Sequence, residues 1–95
     1  MLTHNTYFDG KVQSIGFSRN GLKATVGVID SGDHFFGTKA AERMTVVSGV
    51  LKARVKGGEW VHYAAGTSFE IPANSGFDVA PVGGPAGYLC EFLGE

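Results

Sequence analysis

The chain has little of what would staple, anchor or charge a protein. A single cysteine, Cys90, stands in 95 residues, so no internal disulfide can form. Its apolar neighbours Leu89 and Phe92 point to a buried thiol in a reducing compartment. No run approaches the roughly 18 apolar residues that a membrane-crossing helix needs. Met1 to Gly10 offers neither the basic nor the apolar stretch of an export signal. The expectation is a cytoplasmic protein with no membrane partner. An excess of one charge is missing too. Eight Lys and Arg stand against nine Asp and Glu, dispersed along the chain, so no basic field exists to hold a nucleic acid polymer. Three prolines and no repeat period set aside a collagen-like or linker sequence.

What is abundant is glycine. Fifteen glycines are about twice the usual share of roughly 7%, and they interrupt the chain so often that helices have no room to grow. Only Lys39-Ala40-Ala41-Glu42-Arg43 has the composition for one helical turn. Strand segments are read at Lys11–Phe17, Lys23–Ile29, His34–Thr38, Met44–Val47, Val50–Lys56, Trp60–Tyr63, Thr67–Ile71, Phe77–Pro81 and Tyr88–Leu93. Asn20-Gly21 between the first two is a hairpin signal. In Val50–Lys56, Leu51, Ala53 and Val55 alternate with Lys52, Arg54 and Lys56. That period of two marks a half-buried strand with a solvated outer face. One domain covers residues 1–95, all-β and antiparallel, with short strands arranged as a sandwich or barrel. A domain this small buries only about 60–65% of its unfolded surface, and unpaired edge strands are a liability. A homodimer is therefore expected.

Two spaced patterns carry chemistry. Glu42 to Gly49 reads E-x6-G, a strand with an inward carboxylate that ends in a tight glycine turn. Gly66 to Pro72 reads G-x5-P, a turn, a strand, and a proline where its missing N–H does no harm. Their order and separation resemble the cores of the two motifs of the cupin superfamily, which implies a cupin-type jelly-roll barrel around a ligand. Most cupins bind a metal through histidines, and those are missing here. Phe35, Phe36, Gly37 and Thr38 occupy the positions where an H-x-H would precede the Glu, and Phe77 stands where the second motif ends in histidine. A 2-His-1-carboxylate site needs several converging ligands, and only Glu42 remains. The expectation is a binding pocket with no metal and no cofactor.

A closer resemblance runs from Tyr7 to Leu93. Tyr7-Phe8-Asp9-Gly10-Lys11-Val12, Ser14-Ile15-Gly16-Phe17, Glu42-Arg43-Met44-Thr45-Val46-Val47-Ser48-Gly49 and Tyr88-Leu89-Cys90-Glu91-Phe92-Leu93 resemble the small single-domain cupins that are pyrimidine/purine nucleoside phosphorylases. The resemblance implies a pentosyltransferase. It would cleave purine and pyrimidine nucleosides with inorganic phosphate as co-substrate, giving free base and pentose 1-phosphate, with broad base tolerance and no required metal. A non-enzymatic barrel that binds or senses a small molecule is the alternative.

Phosphorolysis at an anomeric carbon passes through an oxocarbenium-like transition state. It calls for a carboxylate near the sugar, donors for phosphate and support for the leaving base. Glu42 is the candidate for the sugar, and an inward carboxylate needs a partner. His34, Thr38, Lys39, Arg43 and Ser75 are the candidates for phosphate, with His34 the second candidate catalytic residue; alternation would send Arg43 to the face opposite Glu42. Phe36, Phe77 and Tyr88 are the candidates for the base, because stacking does not distinguish one base from another. Trp60 and Tyr63 are expected to cap the barrel or an interface. Cys90 has no nearby histidine in sequence and is not expected to act as a nucleophile.

Overall fold

Left-handed turn residues cut the chain into ten strands. The computed structural model describes residues 2–94. In order the strands are β1 (Thr3–Tyr7), β2 (Val12–Arg19), β3 (Leu22–Ile29), β4 (His34–Gly37), β5 (Glu42–Ser48), β6 (Val50–Val55), β7 (Val61–Ala64), β8 (Ser68–Ile71), β9 (Gly76–Pro81) and β10 (Ala86–Phe92). Asn20 and Gly21, at φ of 54° and 79°, form the two-residue turn of the β2–β3 hairpin, with Arg19 opposite Leu22. Positive φ at both central positions matches the right-handed twist of the paired strands.

The strands form two antiparallel sheets, one ordered β1-β2-β3-β10-β5-β8 and the other β4-β9-β6-β7. Their inner faces meet over a core of Val12, Ile29, Val46, Leu51, Ile71 and Val79, each at most 1% exposed. This is the cupin-like all-β architecture expected from the motifs, with one difference. The ladders do not run on from one sheet into the other, so the wall is two facing sheets rather than a closed barrel.

The helical turn expected at Lys39–Arg43 is absent; those residues bend and then open β5. The cross-strand ladder from Glu42 to Ile71 and Phe92 prevails over the weak helical preference of two alanines. β1 has no strand signal in its own sequence. Thr-His-Asn-Thr-Tyr has no apolar alternation, and the strand exists because it zips onto β2 from Thr3↔Gly16 to Tyr7↔Val12.

The two motifs do different jobs. E-x6-G carries β5 in the larger sheet up to Gly49, and the chain enters β6 of the smaller sheet one residue later. Gly49 has φ of 75°, and a Cβ there would lie 2.9 Å from the Pro85 carbonyl oxygen, so a side chain is excluded twice. G-x5-P frames β8, an edge strand, with Pro72 just past its end. On the outer face of the smaller sheet, Lys52 and Arg54 lie over the Trp60 ring at 5.0 and 4.9 Å, and Arg54 also pairs with Asp78 at 3.0 Å. Tyr63 stacks on Phe69 at 4.4 Å, against the core.

Candidate functional site

A cavity of about 140 Å³ opens between the sheets, and each sheet lines it differently. From β4 and β9 of the smaller sheet come Phe36, Phe77 and Val79. From the larger sheet come Glu42, Cys90, Thr25, Tyr88, Ser14 and Tyr7, with Ile29, Met44 and Phe92 between them. One wall is aromatic and dry; the other carries every polar group in the cavity.

The polar wall follows from strand register. Thr25 on β3 is directly opposite Cys90 on β10, and Cys90 is opposite Met44 on β5. Glu42 lies two residues from Met44 on the same face, the diagonal position within reach of a side chain. The Cys90 thiol donates to Glu42 Oε1 at 3.3 Å. One row away, Ser14, Gly27 and Tyr88 face one another across β2, β3 and β10. Gly27 leaves the space through which the Tyr88 ring crosses to reach the Ser14 hydroxyl. A Cβ on Gly27 would fall 2.5 Å from the Tyr88 oxygen and 2.8 Å from the Gln13 carbonyl oxygen.

Burial sets the protonation of this wall. Glu42 is half-buried, and loss of water raises its carboxyl above the ordinary carboxylate range, while the Cys90 hydrogen bond pulls it back. Burial, reinforced by the Glu42 charge, pushes the Cys90 thiol far up, so it remains a donor. Burial also raises the Tyr88 phenol to about 12, with Cys90 and Tyr7 adding to the effect. The wall at neutral pH therefore presents one acid among neutral donors.

Of the nine residues singled out from sequence, Glu42, Phe36, Phe77 and Tyr88 line the cavity, and Lys39 is exposed away from it. The other four are engaged elsewhere. His34 shares a face with Phe36, but its Nε2 bonds the Ser31 carbonyl at 2.7 Å and its ring stacks on Phe8 at 4.3 Å. Thr38 is buried; its hydroxyl donates to the Pro72 carbonyl at 2.7 Å and accepts the Ser75 N–H at 3.0 Å. That bond locks Ser75 and Thr38 together as a strut. Arg43 points away from the cavity, to Glu70 at 3.1 Å and Glu91 at 3.8 Å. Sequence reasoning passed over Tyr7, Ser14, Thr25 and the pairing of Cys90 with Glu42. Ser14 and Thr25 alternate with the apolar residues Ile15 and Val26, which gives them the appearance of the solvent side.

Among the described residues, no three His, Cys, Asp or Glu side chains converge as metal ligands. A cation at Glu42 would meet one carboxylate, a thiol that holds its proton, and hydroxyls. The residues present do not fit the metal centre that a cupin fold implies.

Residues 2–92 match the family model described as pyrimidine/purine nucleoside phosphorylase. The chain belongs to that family. A pyrimidine/purine nucleoside phosphorylase of Sorangium cellulosum is 62% identical to it, covering 98% of this chain and all of the relative. A crystal structure of a protein of unknown function from Vibrio parahaemolyticus superposes with a TM-score of 0.93 at 41% identity, covering 98% of this chain and 99% of the other. The fold reaches beyond these two similar proteins. Hydroxypropylphosphonic acid epoxidase from S. wedmorenis superposes with a TM-score of 0.80 at 13% identity, over 97% of this chain and 55% of the epoxidase, a likeness of fold alone.

Proposed function

We propose that the protein is a nucleoside phosphorylase, a pentosyltransferase that moves the sugar of a purine or pyrimidine nucleoside from its base to phosphate without a metal. One observation carries the reading: a single carboxyl group faces a cavity whose other polar groups are neutral and whose opposite wall is aromatic. A phosphate oxygen attacks the anomeric carbon as the glycosidic bond breaks. The bonding pair leaves with the base, which takes up a proton from phosphate or water. Ionised Glu42 would accept hydrogen bonds from ribose hydroxyls and stabilise the positive charge that develops on the sugar. Phe36 and Phe77, stacked side by side on the dry wall, would offer the base an aromatic surface that reads no base edge, so purines and pyrimidines are treated alike.

No Lys or Arg lines the cavity. Phosphate therefore falls to the hydroxyls of Tyr7, Ser14 and Tyr88, in place of His34, Lys39, Arg43 and the Thr38–Ser75 strut. Tyr88 keeps its proton up to about pH 12, so this donor survives across the working range. The same reading takes the enzyme as a cytoplasmic homodimer. The apolar outer surface formed by Ile15, Val26 and Val28 supports self-association.

The test is to incubate pure protein with adenosine or uridine, with and without phosphate, and to measure base and pentose 1-phosphate. The expected result is equimolar formation of the two, abolished when phosphate is left out. Base release indifferent to phosphate would make the protein a hydrolase. Stabilisation by nucleoside with no turnover would make it a binding or sensing barrel.

A further inference from the structure

The buried thiol has no use in this reaction as a nucleophile, yet among the described residues it makes the one side-chain hydrogen bond to the Glu42 carboxyl. Cys90 is 5% exposed and occupies the middle of three adjacent strands. Thr25 stands directly opposite it on β3, and on β5 the Glu42 carboxyl accepts the thiol hydrogen bond. A hydroxyl, a thiol and a carboxyl thus stand side by side across the polar wall. We propose that Cys90 is the positioning residue for Glu42: its thiol holds Oε1 against β10 and leaves Oε2 for the sugar.

This rests on Glu42 acting as the reading above assigns. Two physical effects oppose each other at that group. Loss of water favours the neutral acid, and the thiol donor favours the anion. A thiol is a weak donor, so it orients the carboxylate without quenching the charge that the sugar needs. Among the described residues no other cavity side chain bonds the Glu42 carboxyl. Tyr88 on β10 and Tyr7 on β1 are the remaining titratable groups that line it, β3 and β2 bring Thr25 and Ser14, and β4 and β9 bring only Phe36, Phe77 and Val79. On β8, Ile71 lies opposite Glu42.

The experiment follows the carboxyl carbon of Glu42 by NMR through a pH titration in the full-length protein. Wild type is compared with Cys90→Val, which removes the donor and keeps the site dry, with Cys90→Ala, and with Cys90→Ser, which restores an O–H donor. The Glu42 midpoint is expected to rise by about half a pH unit or more in the Val or Ala variant, and to fall back to the wild-type value or below in Cys90→Ser. The acid limb of the kcat/KM profile should move with it, while KM for phosphate stays put. A midpoint unmoved in whichever apolar variant folds overturns the proposal, as does a serine variant that behaves like them. Absence of any phosphate-dependent base release in wild type would sink the reaction instead, and the titration would still decide the role of Cys90.

Discussion

The two sheets lining the cavity are built from the same kinds of strand and do opposite things with their inner faces. The smaller sheet turns Phe36, Phe77 and Val79 inward and keeps its charges, Lys52, Arg54 and Asp78, on the far side. Any apolar face of that shape would pack a core. The larger sheet turns Ser14, Thr25, Glu42 and Cys90 inward and leaves Ile15, Val26 and Val28 at 39%, 45% and 49% exposure on the outside. An inverted strand pattern costs stability on both faces. It is tolerated here because each inward polar group finds a neighbour: Thr25 and Glu42 meet at Cys90, and Ser14 meets Tyr88. Among the described residues no buried side-chain nitrogen or oxygen lacks a partner. The site lies where the ordinary rule of apolar inside, polar outside fails on one wall only.

The sharpest way to break this contrast is to neutralise the acid. Glu42→Gln is expected to lower phosphate-dependent kcat by about 100-fold or more, the scale of losing one preorganised charge at the transition state. An effect under about threefold would remove Glu42 from the reaction. The same variant carries a stability signature. The carboxyl is raised in the fold, so the folded state favours the protonated form. That contribution is present below the ordinary carboxylate range and is lost as pH rises through the raised value. Glu42→Gln should therefore melt above wild type at pH 7, with the gap closing towards pH 4. A gap that widens on acidification would reverse the assignment.

Next in size is Gly27→Ala. The added methyl has no space, since the Tyr88 and Gln13 oxygens lie within 2.8 Å of it, and overpacking of this kind costs about 1–3 kcal/mol. Urea unfolding should show that loss, with a raised KM for phosphate because Tyr88 is driven off Ser14. Retained stability together with normal phosphate kinetics would mean that the Tyr88–Ser14 contact is incidental.

On the opposite wall, Phe36→Leu keeps bulk and removes the ring face. KM for adenosine and for uridine should rise together by about three- to tenfold, the worth of an aromatic contact. A change confined to one base class would show that this wall reads base edges. The smallest effect is expected outside. Arg54→Ala removes an exposed ion pair with Asp78 and should cost under about 1 kcal/mol in thermal unfolding, leaving kcat unchanged.

Much of the scaffold could be read from the residues. The Asn20-Gly21 hairpin, the alternation in β6 and the glycine-framed strands all announce themselves through local turn chemistry and period. Glu42, Phe36, Phe77 and Tyr88 were also within reach, because the motif fixes Glu42 and strand positions fix the rings. Ser14, Thr25 and Tyr7 were not. Their inward parity depends on which face of β2 and β3 meets the other sheet, and exposed Val26 and Val28 argue locally for the wrong one. His34 and Thr38 lie off the cavity lining for the converse reason. A residue type suited to phosphate says nothing about whether Ser31 or Pro72 has already claimed its polar atoms.

The crossing at Gly49 has a consequence for how such a chain can diversify. The strand with the acid and β6 of the opposing sheet are separated by one residue that tolerates no side chain. At that corner the spacing between the two sheets thus has no loop to lengthen. A descendant that takes a bulkier guest would have to carve room by trimming rings on the dry wall, since its spacing is soldered at the corner.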